Sequence, residues 1–121
     1  MPTLQLDGTA VNYRDAGDGP SVILLHSSSS HSGQWRPLSD ALQDRYRVLA
    51  SDFHGYGQSG ALPQDGRPYG VHDAALVCAL LDDFGGPAHL VGHSLGGTIA
   101  ARIALERADD VASLTLIEPV L

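Results

Sequence analysis

The fold of this 121-residue chain is decided by the sequence HLVGHSLGG, residues 89–97. A short apolar run leads into it and a mostly apolar, alanine-rich segment follows it, so a buried strand is predicted to pass directly into a helix. Between them Gly92, Ser94 and Gly96 form the pattern Gly-x-Ser-x-Gly, which is typical of a nucleophile elbow when it joins a strand to a helix. The two glycines remove the Cβ atoms that would keep strand and helix apart. The Ser94 hydroxyl would then face outward, where the Leu95 amide at the helix N-terminus can stabilise an oxyanion. The alternative is a glycine-rich turn in which Ser94 only caps the helix.

Strand-like and helix-like segments alternate along the rest of the chain. The opening predicts a hairpin, with residues 3–6 and 10–14 on either side of a turn at Asp7 and Gly8, and residues 15–20 predict a further turn. Continuous apolar runs predict strands buried on both faces at residues 21–25, 48–50, 89–91 and 114–117. Helical periodicity is found at residues 37–43, 71–84 and 95–107. This order predicts an α/β fold with a mostly parallel sheet that is covered by helices on both faces.

Charge and composition exclude several classes of function. Seven Lys and Arg residues stand against 14 Asp and Glu residues, and the net charge is −7. Without a basic cluster, binding to nucleic acid or to an anionic membrane surface is not expected. No apolar run approaches the roughly 20 residues of a membrane span, and the first seven residues do not resemble a secretory signal. The single cysteine, Cys78, has no internal disulfide partner, so the predicted location is the cytoplasm.

A second glycine pattern offers a rival function. Residues 55–60 match Gly-x-Gly-x-x-Gly, the fingerprint of a dinucleotide-binding turn. That fingerprint must open a helix, whereas residues 61–70 contain Pro63, Gly66 and Pro68 and predict a loop. A nucleotide-binding α/β domain is therefore the less favoured alternative. The six histidines lack metal-ligand spacing, and neither a metal nor a cofactor is predicted.

These motifs together resemble the α/β-hydrolase family. Besides the elbow, residues 24–26 resemble the end of the family's third strand. Residues 52–59 match its turn D-x-x-G-x-G-x-S after the fourth strand, and residues 116–119 resemble the end of its sixth strand. The resemblance implies that residues 1–121 form a single, incomplete core domain that stops after the sixth strand, without the lid and the last two strands.

The resemblance also implies roles for individual residues. Ser94 would be the nucleophile and the Leu95 amide one donor of the oxyanion hole. The second donor would come from the loop after the third strand, from the Ser28 amide with Ser27 beside it. Here the chain departs from the family, because Ser27 stands where a glycine is usual. Glu118 is implied as the catalytic acid, since some members place that acid after the sixth strand.

No histidine of the chain matches the family's general base. A serine nucleophile argues against the branches that use aspartate, the dehalogenases and epoxide hydrolases. The implied function is therefore a serine hydrolase that acts on carboxylic ester or related acyl bonds of a small molecule and is weak or inactive as this chain alone. The alternative is a non-catalytic fragment or half of a split enzyme, which would pair with a second chain or copy through the exposed edge of the sixth strand.

Overall fold

The computed structural model describes residues 2–6, 8–61, 66 and 70–119. Its strands are β1 (Thr3–Leu6), β2 (Thr9–Ala16), β3 (Ser21–Leu25), β4 (Arg47–Ser51), β5 (Ala88–His93) and β6 (Val111–Ile117). Its helices are α1 (Arg36–Leu42), α2 (Val71–Phe84) and α3 (Leu95–Glu106). Short 3₁₀ turns at Ser32–Trp35 and Ala108–Asp110 complete the described elements. Every predicted strand and helix is confirmed.

The differences lie at the ends of elements. Residues 15–20 were expected to form a turn, but β2 continues to Ala16 because Asp15 and Ala16 pair with β4. Strand β6 begins at Val111 rather than Leu114, since Val111 already pairs with Ala88. Asp7 of the predicted hairpin turn, and residues 62–65 and 67–69 of the predicted loop, lie outside the described residues.

The six strands form one sheet in the order β1-β2-β4-β3-β5-β6. Strands β4, β3, β5 and β6 run parallel, and β1 and β2 are added antiparallel at one side, which confirms the mostly parallel sheet. The chain passes from β3 to β4 on one side and then returns to β5 on the other. Such a reversal of strand order leaves a crevice at the carboxyl ends of the two central strands, here β3 and β5.

Strand β3 is buried along its whole length, as predicted. One core packs its Ile23 and Leu25 against α2 and α3, through residues that include Leu80 and Ile103. A second core lies on the opposite face, where Val22, Leu24 and Trp35 pack together. The two cores hold the carboxyl end of β3 between α3 on one side and the 3₁₀ turn with α1 on the other.

Strand β6 contradicts the prediction of burial on both faces. It lies at the end of the sheet and pairs only with β5 among the described residues. Leu114, Leu116 and Ile117 are therefore 38%, 37% and 40% exposed. An apolar run of this kind indicates a strand, but its burial depends on a neighbour that the pattern does not reveal.

None of the three helices in the described part of the chain combines the length and the apolarity needed to cross a membrane.

Candidate active site

Ser94 lies in the sharp turn between β5 and α3. Its backbone has φ 54° and ψ −112°, a conformation with positive φ that residues other than glycine rarely adopt. Such a conformation costs about 1–3 kcal/mol and persists only where the surrounding structure enforces it. The turn therefore has the strained geometry predicted for a nucleophile elbow, at the crevice between β3 and β5.

Close backbone packing enforces this turn. A Cβ atom on Gly92 would lie 2.6 Å from the Cα of Gly97, and one on Gly96 would lie 2.7 Å from the carbonyl oxygen of His26. Real Cβ atoms do not approach so closely, and the opposing atoms belong to backbone that has little room to move. Gly92 and Gly96 are thus required for the reason that the sequence indicated. A Cβ atom on Gly97, which the prediction did not single out, would lie 3.1 Å from the Cβ of Pro119.

Hydrogen bonds fix the elbow to two other strands. The Ser94 amide donates to the carbonyl of Ile117 at the end of β6 (2.9 Å). The Gly96 amide donates to the carbonyl of His26 just after β3 (3.1 Å). Between them the Leu95 amide has no acceptor among the described residues, and it begins α3, where the helix dipole favours negative charge. An oxyanion formed beside Ser94 would find this donor available.

The loop after β3 presents a second amide. The Ser27 amide donates to Oε1 of Gln34 at 2.9 Å, and the Ser27 hydroxyl lies 3.3 Å from the same oxygen. The Ser28 amide has no acceptor within the described part of the chain, and the Ser28 residue is exposed. Of the two serines expected to contribute, Ser27 is therefore engaged elsewhere, and Ser28 is the remaining candidate for the oxyanion hole.

His26 joins the loops that follow β3 and β4. Its Nε2 accepts a hydrogen bond from the Phe53 amide (2.9 Å), so its Nδ1 carries the proton and donates to the Ser27 carbonyl (2.6 Å). Burial lowers the pKa of the His26 imidazole, an effect that the Ser27 carbonyl and the charge of Asp52 only partly offset. The ring thus stays neutral, and its two hydrogen bonds connect the loops after β3 and β4.

No histidine in the described ranges hydrogen-bonds to Ser94. The other five contact other groups: His31 the Gly33 amide, His54 the Asp73 carboxylate, His72 the His54 ring, His89 the Ser113 hydroxyl and His93 the Gln34 amide. Within the same residues no group of three or more His, Cys, Asp and Glu side chains is placed to hold a metal ion. A general base for Ser94 is therefore missing from the described site.

Glu118 follows β6 directly and has φ 46°, so the chain turns sharply at this residue. Its neighbour Ile117 accepts the hydrogen bond of the Ser94 amide, which places Glu118 one residue beyond a contact with the elbow. The residue is exposed. Its assignment as the catalytic acid stays a prediction.

The glycine-rich segment 55–60 forms a turn around a buried carboxylate. The Gly55 amide donates to the Gly60 carbonyl (2.7 Å), and a Cβ on Gly57 would collide with the Asp52 carboxylate. Residues 55–61 contain no helix, and among the described residues the next helix, α2, begins at Val71. The arrangement lacks the helix N-terminus that a dinucleotide pyrophosphate requires and argues against the nucleotide-binding alternative.

Two clefts of the described chain lie apart from the elbow. Clefts of about 360 and 290 Å³ share Arg14 and Ser32 in their walls and extend between β2 and the residues after β3. Ser94 lines neither of them. Neither of these two clefts is therefore a substrate pocket at the elbow.

Comparison with known proteins agrees with this geometry. A family model for the alpha/beta hydrolase fold matches residues 20–121. A dihydrolipoyllysine-residue acetyltransferase component of the acetoin cleaving system of Cupriavidus necator is 35% identical over 95% of this chain and 31% of its own length. The (E)-2-((N-methylformamido)methylene)succinate hydrolase of Acinetobacter baylyi is 30% identical over 98% of this chain and 45% of its own length.

The solved structures include a thioesterase domain from the curacin biosynthetic pathway. It superimposes with a TM-score of 0.92 at 27% sequence identity, covering 99% of this chain and 46% of that one. The chain thus spans less than half the length of these relatives. Over that span it has the strand order, the elbow and the family match together, and it belongs to the α/β-hydrolase fold family.

Proposed function

We propose that this chain carries the nucleophile and the oxyanion hole of a serine hydrolase that cleaves carboxylic ester or related acyl bonds. The observation that carries the proposal is the strained conformation of Ser94, with φ 54°, at a turn where Gly92 and Gly96 exclude any larger residue. A structure that needed only a helix cap would gain nothing from this strain. Relatives named as a hydrolase and a thioesterase support the same reaction class.

The reaction would proceed through an acyl-enzyme. The Ser94 oxygen attacks the carbonyl carbon of the substrate, and the electron pair of the carbonyl double bond moves to its oxygen. The amides of Leu95 and Ser28 would donate to that oxyanion. As the carbonyl re-forms, the bond to the alcohol or thiol breaks and that group takes up the proton lost by the Ser94 hydroxyl. Water then attacks the acyl–serine carbonyl, which releases the carboxylic acid and returns a proton to the Ser94 oxygen.

Proton transfer is the weak step in this chain. A serine hydroxyl is a poor nucleophile without an adjacent base, and no described histidine contacts Ser94. We therefore propose that the isolated chain reacts slowly, through strain and the oxyanion hole alone. Glu118 would orient a base brought to the open side of the elbow.

Labelling with a fluorophosphonate probe tests the proposal. We expect slow stoichiometric labelling of the chain that is lost in Ser94→Ala, with the modified peptide identified by mass spectrometry. Ser39→Ala, which removes a hydroxyl on α1, is the matched control and should label like the unmodified chain. Labelling that persists in Ser94→Ala, or a folded chain that never labels, would contradict the proposal.

A second candidate function is assembly through β6. The exposure of Leu114, Leu116 and Ile117 on an edge strand favours it, because such an edge is a template for pairing with another chain. The partner would be a second copy or a complementary chain that completes a split enzyme.

A further inference from the structure

The side chain of Gln34 lies between the two halves of the site. It belongs to the 3₁₀ turn Ser32–Trp35, which packs against β3 and β4. Its Oε1 accepts from the Ser27 amide at 2.9 Å, in the loop after β3. Its Nε2 lies 3.0 Å from Nδ1 of His93, the residue immediately before Ser94. One carboxamide therefore connects the loop that carries Ser28 to the strand that carries the nucleophile.

The direction of these hydrogen bonds follows from chemistry. A backbone amide only donates, so the atom of Gln34 that faces Ser27 must be its carbonyl oxygen. The NH₂ group then faces His93 and only donates, so Nδ1 of His93 must be unprotonated. The neutral His93 ring therefore carries its proton on Nε2.

Both sides of the Ser27 residue are held. Its amide is held by Gln34, and its carbonyl accepts from Nδ1 of the buried His26 at 2.6 Å. The Ser27 carbonyl and the Ser28 amide belong to one planar trans peptide, in which the C=O and N–H bonds point in opposite directions. Anchoring the carbonyl on His26 therefore directs the Ser28 amide away from that anchor.

We propose that Gln34 is a positioning residue of the hydrolase site. This inference rests on the proposed function. It assigns to Gln34 the task of holding the loop after β3 in one conformation. The loop contains four consecutive serines, and Ser29 has φ 61°. Neither feature restricts the backbone of the loop to a single conformation. Gln34 holds the Ser27 amide out of the oxyanion hole, keeps the Ser28 amide in place and fixes both relative to Ser94.

Two substitutions of similar size separate this function from simple packing. Gln34→Met keeps the length of the side chain but removes the acceptor for the Ser27 amide. Gln34→Glu keeps that acceptor and replaces only the donor to His93, whose Nδ1 then takes a proton to meet the carboxylate. Complete loss of an oxyanion donor costs about 10²–10³-fold in rate, and we expect the displacement in Gln34→Met to cost about tenfold.

The first measurement is the rate constant of fluorophosphonate labelling. We expect a roughly tenfold loss in Gln34→Met and a smaller loss in Gln34→Glu, which keeps the acceptor for the Ser27 amide, with unchanged circular dichroism. Equal rates in Gln34→Met and the unmodified chain, or equal losses in both variants, would overturn the proposal.

The second measurement does not need an active site, so it separates this proposal from the proposed function. Nitrogen-15 NMR of the unmodified chain should show His93 with its proton on Nε2, and the proton should move to Nδ1 in Gln34→Glu. Hydrogen exchange at the Ser27 amide should be at least about tenfold faster in Gln34→Met and unchanged in Gln34→Glu, because exchange follows the opening of the hydrogen bond. A proton on Nδ1 in the unmodified chain, or an unchanged Ser27 exchange rate in Gln34→Met, would contradict the inference even if Ser94 labels normally. If Gln34→Met does not fold, the His93 proton position in the other two chains decides.

Discussion

Two turns at the carboxyl edge of the sheet are stabilised in opposite ways. The elbow after β5 contains no buried charge and depends on the absence of Cβ atoms at Gly92 and Gly96. The turn after β4 is built around the carboxylate of Asp52, which is 2% exposed. The two turns flank the same central strand, β3. Sterics fix the conformation of the first, and charge-assisted hydrogen bonds fix the second.

The Asp52 carboxylate shows how the second turn works. Oδ1 accepts from the Ser32 amide (2.7 Å), and Oδ2 accepts from the Gln58 amide (3.0 Å) and from the Asn12 side chain (3.3 Å). Burial raises the pKa of this carboxyl, but hydrogen bonds from Ser32, Gln58 and Asn12 outweigh burial and leave the pKa below its ordinary value. The stability of this turn should therefore depend on pH, whereas the stability of the elbow should depend on the size of the side chains at Gly92 and Gly96.

The largest expected effect is on the elbow. Gly96→Ala places a Cβ against backbone atoms of Leu25 and His26, which have no side-chain freedom to give way. We expect a loss of about 3 kcal/mol in the free energy of unfolding, the upper end for overpacking, together with loss of fluorophosphonate labelling. Denaturant unfolding at neutral pH measures the first quantity.

Gly33→Ala is the matched control for this substitution. Both glycines lack a positive φ, but a Cβ on Gly33 meets only the side chain of the exposed residue His31. The change should cost less than about 1 kcal/mol, because a flexible side chain moves aside. Equal losses in the two variants would show that the elbow is not held by close backbone contact.

The next effect is on the turn after β4. Each oxygen of the Asp52 carboxylate accepts a hydrogen bond from a backbone amide. In Asp52→Asn an NH₂ group replaces one of these oxygens, so one hydrogen bond to a charged acceptor becomes a contact between two donors. We expect a loss of about 2 kcal/mol in the free energy of unfolding at pH 7. Ser94 should still label, because the elbow does not contact this carboxylate.

The pH dependence of stability should differ between the unmodified chain and Asp52→Asn. The pKa of Asp52 is lowered in the folded chain, so the unfolded chain binds more protons between the folded pKa and the unfolded value of about 3.9. Its contribution is complete above about pH 4 to 5 and disappears as the pH falls through the folded pKa. The difference in stability between the unmodified chain and Asp52→Asn should therefore shrink in acid. A difference that is constant from pH 7 to pH 2 would contradict the assignment of the turn to this charge.

The smallest expected effect concerns the strand on which the elbow depends. The Ser94 amide is bound to Ile117 of β6, whereas the turn after β4 has no contact of this kind with the edge strand. If β6 pairs with a second copy, the apparent mass in sedimentation will rise with concentration. Thr115→Lys should weaken that association about tenfold, or roughly 1.4 kcal/mol, because a charge on an edge strand opposes pairing.

Leu105→Lys distinguishes edge pairing from nonspecific hydrophobic association. Leu105 is 87% exposed on α3 and is not part of the edge strand. This change should leave the association intact if β6 is the contact. A chain that stays monomeric at high concentration, or an association abolished equally by both substitutions, would end the proposal of edge pairing.

Local patterns in the sequence predicted most of the fold. The hairpin pattern of residues 3–14 located two strands, the apolar runs located four more, and the helical periods located three helices, because burial on one or both faces leaves a period in the sequence. The elbow could also be predicted from the sequence, since a turn that has no room for Cβ atoms requires a glycine on each side of Ser94. The same logic identified Gly57 only as part of a glycine pattern, and its contact with the Asp52 carboxylate had to be seen in the structure.

Tertiary structure decided what depends on neighbours distant in the chain. The apolar run of β6 predicted burial, but its place at the edge of the sheet leaves Leu114, Leu116 and Ile117 partly exposed. The Ser28 amide was predicted as the second donor with Ser27 beside it, but only the structure shows that the Ser27 amide is bound to Gln34. Gln34 itself had no signal, because a single glutamine acquires meaning only from the Ser27 amide and the His93 ring that meet it in space. Periodicity and glycine spacing are properties of adjacent residues, and so the sequence alone determined the strand-helix order and the elbow. Which amide of the loop after β3 keeps a protein acceptor is set by hydrogen bonds between segments far apart in the chain, and only the folded molecule contains them.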